Sequence, residues 1–336
     1  MDDITEVLTQ RAIAAIAHWD LPEQVPRLIK YRENAVFRVR LAWGEPAALR
    51  LHRPAYHAPA ALASELAFMA HLRNRGLAVP QPIPAVNGAL LVAFGDMPHH
   101  ADLLGWVEGE PLGETGVPLD AKGRDLPAVF RAIGREMALL HGAADAFRQP
   151  AGFERPAWDT GGLVGEEPFW GRFWDCPALP AADRAYLADL RRRLSARLAA
   201  AAPALDYGLI HADIVRENVF VRTGAVAFID FDDCGFGFRL FDLATTLLRN
   251  RREANYPAFR HALLEGYAAV RPQARADFAH LPLFLLLRAL TYIGWAAARP
   301  DLPDNADRLC RYVADVRSLA GEDDGSYSSS ASDAPA

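Results

Sequence analysis

The chain has 336 residues, of which 51% are hydrophobic and 23% are charged. This length and composition allow a large buried core and favour two lobes over one domain. With 36 basic and 42 acidic residues, the formal net charge is −6, which argues against sequence-independent binding of nucleic acid or of an anionic membrane. The expected partners are therefore small or cationic molecules, and the sequence does not define an oligomeric state.

Three cysteines lie far apart and lack metal-ligand spacing, and they are too few for a disulfide scaffold in a chain of this size. The N-terminal residues lack the basic end and the apolar stretch of a signal peptide. The most apolar stretch, 281–298, is interrupted by Arg288, and we interpret it as a buried core helix rather than a membrane span. Together these features predict a cytoplasmic protein.

The N-terminal third begins with a predicted helix and a predicted hairpin. Apolar residues at helical spacing predict the helix over residues 4–18. Two β-prone runs, 35–39 and 47–51, flank a turn at 43–46. This arrangement predicts an antiparallel hairpin.

A second helix is predicted over residues 59–75. Pro59 is placed at its start, and Gly76 is its expected stop. The Asn87-Gly88 pair that follows lies between two apolar runs, which predicts a second hairpin turn.

The pattern becomes mostly helical after a change of composition at residues 103–107. Helical spacing then covers six stretches, which are 126–142, 181–202, 239–250, 256–270, 278–298 and 305–319. One β-rich island, 208–231, lies among them. The final segment, 321–336, is rich in Ser, Asp, Gly and Ala and is expected to be a disordered tail.

The β-rich island carries polar residues at the ends of its strands. Asp213 and Asn218 lie on the loop before one apolar strand, and Asp230 follows its partner across a Thr223-Gly224 turn. Phosphoryl transfer needs such a group. One carboxylate accepts the proton of the attacking hydroxyl, while a carboxylate and an amide oxygen hold Mg²⁺ on the nucleotide phosphates.

The run His211-Ala-Asp213, with Asn218 five residues after the aspartate and Ile-Asp-Phe-Asp-Asp at 229–233, resembles the aminoglycoside phosphotransferase and choline kinase family. Phe241-Asp-Leu-Ala and Gly134 to His141 resemble two further family segments. The resemblance spans roughly residues 27–250. It implies an α+β, protein-kinase-like, two-lobed fold. In it a small β-rich N-lobe (1–104) covers the nucleotide, and a larger, mainly helical C-lobe (105–320) holds the catalytic loop and the acceptor site.

The resemblance also implies ATP and Mg²⁺ as cofactors and assigns roles within the C-terminal motifs. Asp213 is the catalytic base, Asn218 and Asp230 are the Mg²⁺ ligands, and Asp242 braces the catalytic loop. His211 is expected to support the same loop through hydrogen bonds.

The sequence leaves the roles of Asp232 and Asp233 open. Either residue contacts the metal or the substrate amine, or the pair forms a solvated turn.

Arg50 stands where the family has a strand lysine that holds the nucleotide phosphates. Choline kinase-like relatives also carry an arginine at this position. A guanidinium can bind phosphate oxygens bidentately, and Glu65 on the next helix is its expected partner, or else an exposed helix glutamate. The glycine-free segment 31–37 resembles the phosphate-covering hairpin loop. By the same resemblance, Trp106 and Val107 lie in the interlobe segment that binds adenine through backbone groups.

The acceptor is the least defined feature of the sequence. Residues 151–180 mix aromatic and acidic side chains that suit a cationic amine through charge pairing and cation–π contacts, or that pack the helical lobe. These are Trp158, Asp159, Glu166, Glu167, Trp170, Phe173, Trp174 and Asp175, and Glu265, Tyr267 and Trp295 are candidates of the same kind. Similarity of segments 32–37 and 49–54 to homoserine kinase type II-like phosphotransferases implies a hydroxylated amino alcohol, amino acid or aminoglycoside-like acceptor.

Two alternative functions are considered. A protein serine/threonine kinase of the stress-response type usually carries lysine two residues after the catalytic aspartate, where this chain has Val215. A nucleotide-binding pseudokinase that acts as an interaction module is suggested by Arg50 and by the glycine-free loop. The presence of Asp213, Asn218 and Asp230 opposes the pseudokinase.

Overall fold

The computed structural model describes residues 2–31, 34–54, 56–95 and 99–331. The chain divides into two compact units. The first unit comprises Met1–Pro111, Gly142–Arg155 and Val219–Asp232, and the second comprises Leu112–His141, Pro156–Asn218 and Asp233–Ala336. The boundary predicted from the sequence follows residue 104. The first compact unit runs to Pro111, and two later segments of the chain return to it, while the lobe boundary stays a prediction.

In chain order, the helices are α1 (Asp2–Ile16), α2 (Pro59–Asn74), α3 (Leu126–Asp145), α4 (Thr160–Val164), α5 (Ala181–Ala201), α6 (Arg239–Asn250), α7 (Tyr256–Val270), α8 (Leu281–Ala297) and α9 (Asn305–Ala331). The strands are β1 (Arg27–Tyr31), β2 (Ala35–Arg40), β3 (Pro46–Leu51), β4 (Val92–Phe94), β5 (His99–Gly105), β6 (Glu110–Pro111), β7 (Ala157–Trp158), β8 (Tyr207–Ile210), β9 (Val219–Arg222), β10 (Ala225–Phe228) and β11 (Gly235–Phe238).

The first unit is built on a five-stranded sheet of order β1-β2-β3-β5-β4, in which every neighbouring pair is antiparallel. The predicted hairpin is confirmed, because β2 pairs with β3 from Ala35↔Leu51 to Arg40↔Pro46. The predicted N-terminal helix is confirmed as α1, although Ile4 is exposed. Leu8, Ala12, Ala15 and Ile16 of α1 share one core with the inward side chains of the sheet.

Helix α2 agrees with its prediction in both bounds and burial. Pro59 lies in its first turn, and Gly76, with φ +85°, follows its end. The apolar positions used to predict the helix are all buried, and they are Leu62, Leu66, Met69 and Leu72.

The hairpin predicted at Asn87-Gly88 is wrong, although the turn itself forms. Gly88 donates a backbone hydrogen bond to Ala85 and has φ +83°. Among the described residues, no strand lies between α2 and this turn. The three alternating prolines at 80, 82 and 84 lack the N–H groups that a ladder needs. The segment instead makes a single bridge, Pro82↔Leu104, to β5.

The predicted strands on either side of Thr223-Gly224 are confirmed. Strands β9 and β10 pair antiparallel from Arg222↔Ala225 to Val219↔Phe228, and β6 pairs with β9 on its other side. Thr223 and Gly224 both have positive φ, +46° and +85°, which matches the twist of a two-residue hairpin turn.

The second unit contains a small sheet of order β7-β11-β8. Strand β11 was not predicted from the sequence. Its Gly237 lies so close to its neighbours that a Cβ there would be 2.5 Å from Ile210 and 3.0 Å from Trp158. A glycine is therefore required for β11 to fit between β7 and β8.

The remaining predicted helices are present as α3 and α5 to α9. The helix expected over 278–298 begins only at Leu281, after a 3-10 segment, Pro272–His280, because Pro282 belongs to a first helical turn. Among the described residues, Pro272–Ala297 is long and apolar enough to cross a membrane by length and composition, and 72% of the most apolar window is buried inside the protein.

Helices α3 and α7 cross at unusually short distance through two glycines. A Cβ on Gly134 would lie 2.0 Å from the carbonyl oxygen of Leu263, and a Cβ on Gly266 would lie 2.0 Å from that of Arg131. This crossing fixes the position of His141 at the end of α3 relative to Tyr267 on α7.

The C-terminal segment differs from the expected disordered tail over residues 321–331, which continue α9. Buried side chains at helical spacing anchor the helix up to Ala320. Asp323, one turn further on, is ion-paired with Arg197. Residues 332–336 lie outside the described residues.

Candidate active site

Asp242, in the first turn of α6, holds the loop that follows β8. Its carboxylate accepts the backbone N–H groups of His211 at 2.9 Å and of Ala212 at 2.7 Å. Asp242 is fully buried, and burial opposes its ionisation. The hydrogen bonds that it accepts nevertheless hold its pKa below the usual range. A buried carboxylate thus fixes the two residues that precede Asp213.

His141 supports Asp242 from behind. Its Nε2 lies 3.0 Å from Asp242 Oδ2, and its Nδ1 lies 2.7 Å from the hydroxyl of Tyr267. Burial lowers the pKa of His141 to about 4, with Arg239 adding to the effect and Asp242 opposing it. A neutral ring therefore donates from Nε2 to Asp242 and accepts at Nδ1 from the Tyr267 hydroxyl.

The carboxylate of Asp213 is held at both of its oxygens. Arg288 Nη2 donates to Oδ1 at 2.7 Å, and Asn218 Nδ2 donates to Oδ2 at 3.0 Å. The Asp213 side chain is 25% exposed, whereas that of Arg288 is fully buried. His211 Nδ1 accepts the backbone N–H of Asp213 at 3.3 Å. The result is an oriented carboxylate with one side accessible to a ligand.

Asn218 and Asp230, the predicted Mg²⁺ ligands, carry amide and carboxylate oxygens of the kind that Mg²⁺ binds. Both recorded hydrogen bonds of the Asn218 side chain use its nitrogen, which leaves the amide oxygen for another partner. Asp230 has a half-exposed carboxylate 3.9 Å from Lys30. Across the described part of the chain, no three His, Cys, Asp or Glu side chains form a metal cage. Mg²⁺ in nucleotide enzymes usually has few protein ligands and shares the phosphates.

Two residues of the motif have backbone strain. Ala212 has φ +66° and Asp230 has φ +67°, which L-residues adopt at a cost of about 1–3 kcal/mol. The N–H of Ala212 is fixed by Asp242. Such strain is concentrated at functional sites, where the surrounding structure over-determines it.

Asp232 and Asp233 have different surroundings. Asp232 lies 3.4 Å from His57 Nε2 and accepts a long hydrogen bond of 3.5 Å from Asn34. Burial opposes ionisation of Asp232, but His57 and nearby cations lower its pKa to about 2. The backbone carbonyl of Asp233 accepts a hydrogen bond from Trp158 Nε1 at 2.9 Å.

Arg50, in β3, is held by two carboxylates. It donates from Nη1 to Glu65 at 2.8 Å, and from Nε and Nη2 to the two oxygens of Asp102 at 2.9 and 2.7 Å. All three side chains are buried. The expected Arg50–Glu65 pair is therefore present, and Glu65 is not the exposed helix residue of the alternative interpretation.

Asp102 also lies 2.7 Å from His52 Nε2. Burial disfavours both charged forms, yet the mutual attraction raises the pKa of Arg50 and lowers that of Asp102. The group is therefore a fixed, ionised cluster, in which the guanidinium already has two acidic partners.

The other predicted nucleotide contacts are only partly described. Arg32 and Glu33 of the segment 31–37 lie outside the described residues. Trp106 and Val107 are half-buried between β5 and β6, and the Arg38 guanidinium lies 4.9 Å from the centre of the Trp106 ring.

Three of the acidic side chains suggested for a substrate amine have arginine partners. Glu166 pairs with Arg191, Glu167 with Arg172, and Glu265 with Arg131. Asp159 caps α4 by accepting the N–H of Gly162.

Arginine side chains also cover several of the aromatic rings suggested for binding an amine. Arg288 lies over Trp170, Arg191 over Trp174 and Arg299 over Trp295. Trp158 and Phe173 are buried. The structure thus favours the packing interpretation of these candidates.

Two site residues, Arg288 and Asp102, were not predicted from the sequence. Each is a charged residue within an apolar run, in Leu-Leu-Leu-Arg-Ala-Leu and in Ala-Asp-Leu-Leu. Buried charges are rare unless they are paired, so this interruption was the available signal.

Comparison with known proteins gives a consistent result. The sequence pattern of the Phosphotransferase enzyme family matches residues 26–278. A homoserine kinase of Rhizobium etli is 30% identical over 233 residues, covering 68% of this chain and 66% of that enzyme. The chain thus spans about two thirds of the length of this relative.

Two solved structures resemble the chain over most of its length. The structure of the microcompartment-associated aminopropanol kinase is 29% identical with a TM-score of 0.79, covering 94% of this chain and 98% of that one. Amicoumacin kinase, in complex with AMP-PNP, Ca²⁺ and Ami, is 18% identical with a TM-score of 0.73, covering 91% and 92%. These likenesses confirm the predicted protein-kinase-like fold.

Proposed function

The chain belongs to the phosphotransferase enzyme family and is a small-molecule kinase, and we propose that it transfers the γ-phosphoryl group of ATP to the hydroxyl of a small amine. The acceptor class comprises amino alcohols and hydroxy amino acids. The two similar enzymes act on acceptors of this size, since one is an aminopropanol kinase and the other a homoserine kinase. The assignment of roles rests on one observation. Both carboxylate oxygens of Asp213 accept a hydrogen bond, one from Arg288 and the other from Asn218.

In the proposed reaction, Asp213 acts as general base. It accepts the proton of the acceptor hydroxyl while the hydroxyl oxygen forms a bond to the γ-phosphorus. The bond between that phosphorus and the bridging oxygen breaks, and ADP leaves with the bonding electrons. The products are ADP, a phosphomonoester and a proton that Asp213 releases to solvent. Hydrogen bonds from Asn218 and Arg288 orient the base before the reaction.

Asn218 and Asp230 are the proposed ligands of Mg²⁺, which would neutralise charge on the nucleotide phosphates. Support comes from the hairpin of β9 and β10, in which Val219 is opposite Phe228. Asn218 directly precedes one end of this hairpin, and Asp230 follows the other end by two residues. The complex of amicoumacin kinase with AMP-PNP and Ca²⁺ is consistent with ATP and a divalent cation.

Within the first unit, Arg50 is proposed to face the nucleotide phosphates. Trp106 and Val107 are proposed to lie against the adenine. Each Nη atom of Arg50 has one hydrogen bond to a carboxylate, which leaves one N–H on each for a phosphate oxygen. Glu65 and Asp102 fix the orientation of the guanidinium.

The test is acceptor-dependent release of ADP from Mg·ATP by the purified protein. Three pools are supplied separately, and they contain amino alcohols, hydroxy amino acids and aminoglycosides. The proposal expects ADP and a phosphorylated product with one of the first two pools, and loss of both when Mg²⁺ is chelated. ADP release that no pool stimulates would contradict the proposed function.

A further inference from the structure

The environment of Arg288 bears on which acceptor the enzyme prefers. Its guanidinium is fully buried. Within the described residues its only ion-pair partner is Asp213, to which it donates from Nη2 alone. Nε and Nη1 are buried without a hydrogen-bond partner. A buried donor left unpaired costs about 1–3 kcal/mol, and more when it is charged. These two donors are therefore suited to an acceptor group that a ligand supplies.

An aromatic wall surrounds this guanidinium. Its central carbon lies 4.7, 5.2 and 4.5 Å from the ring centres of Trp170, Phe241 and Tyr292. Burial raises the pKa of the Tyr292 hydroxyl, and the charges of Arg249 and Arg288 oppose this rise. Because these rings exclude water, an anion next to Arg288 would interact more strongly than in bulk solvent.

A second guanidinium shares this wall. Arg249 lies 3.7 Å from the centre of the Tyr292 ring, and its Nε is buried without a partner. Within the described part of the chain Arg249 makes no ion pair. The charges of Asp213 and Glu217 both act on Arg249, whereas Arg288 has only Asp213 as an ion-pair partner within the described residues.

Three of the acids that the sequence suggested for a substrate amine are already paired in the structure. Glu166, Glu167 and Glu265 each pair with an arginine. The buried donors of Arg288 beside Asp213 therefore suit the anionic end of an amino acid better than an amine.

We propose that Arg288 binds the carboxylate of the acceptor and that the preferred acceptors are hydroxy amino acids rather than the corresponding amino alcohols. This assignment rests on the proposed function, in which Asp213 takes the proton of the acceptor hydroxyl. Arg288 contacts Asp213, the proposed base, through Nη2. Its remaining donors, Nε and Nη1, are then free to bind the carboxylate of the acceptor. The transferred phosphoryl group is also anionic, and the experiment separates these two ligands.

The test compares acceptors that differ only by the carboxylate. The pairs are homoserine with 3-aminopropan-1-ol, serine with 2-aminoethanol, and threonine with 1-aminopropan-2-ol. For each pair the ratio of kcat/KM, acid over amine, is measured with the wild type, Arg288→Met, Arg288→Lys and Arg191→Met. Arg191 is the matched control, because it also stacks on a tryptophan but has Glu166 as its partner.

The proposal expects the wild type to favour the acid of at least one pair by about tenfold or more, as a buried charge-assisted contact implies. Arg288→Met should bring this ratio close to one, mainly through KM of the acid. Arg288→Lys should restore part of the ratio, and Arg191→Met should leave it unchanged. Any effect of Arg288 on the orientation of Asp213 cancels in the ratio, because both acceptors use the same base.

Two results would overturn the proposal. One is a wild-type preference for the amino alcohol in every pair, which needs no variant and so does not depend on whether the replacements fold. The other is an equal loss for acid and amine in Arg288→Met, which would show that Arg288 acts on the phosphoryl group or on Asp213 alone. Turnover of the amines without the acids would leave the proposed function intact, whereas no turnover of all six would overturn both.

Discussion

Arg50 and Asp102 form a buried, bidentate ion pair between neighbouring strands, with N–O distances of 2.9 and 2.7 Å. The two residues are directly opposite in the register of β3 and β5. The pair ties the strand that bears the proposed phosphate-binding arginine to the next strand of the sheet.

Replacing Asp102 by Asn should destabilise the protein, because it leaves a buried guanidinium with one carboxylate fewer. Removing one partner of a buried pair costs about 3–5 kcal/mol. The matched variant Glu65→Gln removes one negative charge but keeps an oxygen that can accept the hydrogen bond from Arg50. Because Arg50 also keeps both of its contacts to Asp102, this variant should cost about half as much. Urea unfolding measures both free energies, and an equal loss for the two variants would contradict this ranking.

Two glycines of α3 should respond in opposite ways to alanine. Gly134→Ala places a methyl group 2.0 Å from the Leu263 carbonyl and should destabilise the protein by about 1–3 kcal/mol or more through overpacking. Gly142 has open space around its Cα, so Gly142→Ala should stabilise the helix by up to about 1 kcal/mol. Thermal unfolding of the two variants distinguishes them, and a stable Gly134→Ala protein would refute the close crossing of α3 and α7.

His141 should make stability dependent on pH. Its pKa is about 4 in the folded protein and about 6.5 when unfolded. Between these values the unfolded chain binds more protons, so stability falls as the pH is lowered from about 6.5 towards 4. From pH 7 to pH 5 the wild type should lose about 2 kcal/mol more than His141→Gln, in which the titrating group is absent. Denaturant unfolding at the two pH values measures this difference, and equal losses would show that His141 is not buried in its neutral form.

Asp230→Ala should weaken the binding of Mg·ATP and also lower the rate, because the proposed role is that of a metal ligand. The concentration of Mg²⁺ that gives half the maximal rate should rise by about tenfold or more. Asp189→Ala, which removes an exposed acid on α5, is the matched control. An unchanged Mg²⁺ requirement in Asp230→Ala would remove Asp230 from the metal site.

Local patterns in the sequence predicted most of the elements and the motif that bears Asp213. The bounds of α6 and α7 follow from helical spacing, and the β9–β10 turn follows from its Thr-Gly pair, because these features depend on residues close together in the chain. Strand β11 was missed because its Gly-Phe-Gly-Phe sequence has weak strand propensity. It is stabilised by the two strands beside it.

The contacts that long-range packing decides were not predictable. Arg288 lies 75 residues after Asp213, and nothing local to either residue indicates their hydrogen bond. Asp102 is likewise recognisable only from its partner Arg50, 52 residues earlier. In both cases, a charge within an apolar run shows that a partner must exist, but the fold determines which residue it is.

The most direct test of Asp213 as the base is the turnover of Asp213→Asn with the best acceptor, measured beside its affinity for Mg·ATP. Asparagine keeps the size of the side chain but cannot accept the hydroxyl proton. We expect kcat to fall by about 10²-fold or more while nucleotide affinity stays within about twofold of the wild type. Turnover within a few-fold of the wild type would contradict the account, because the proton would then have another acceptor.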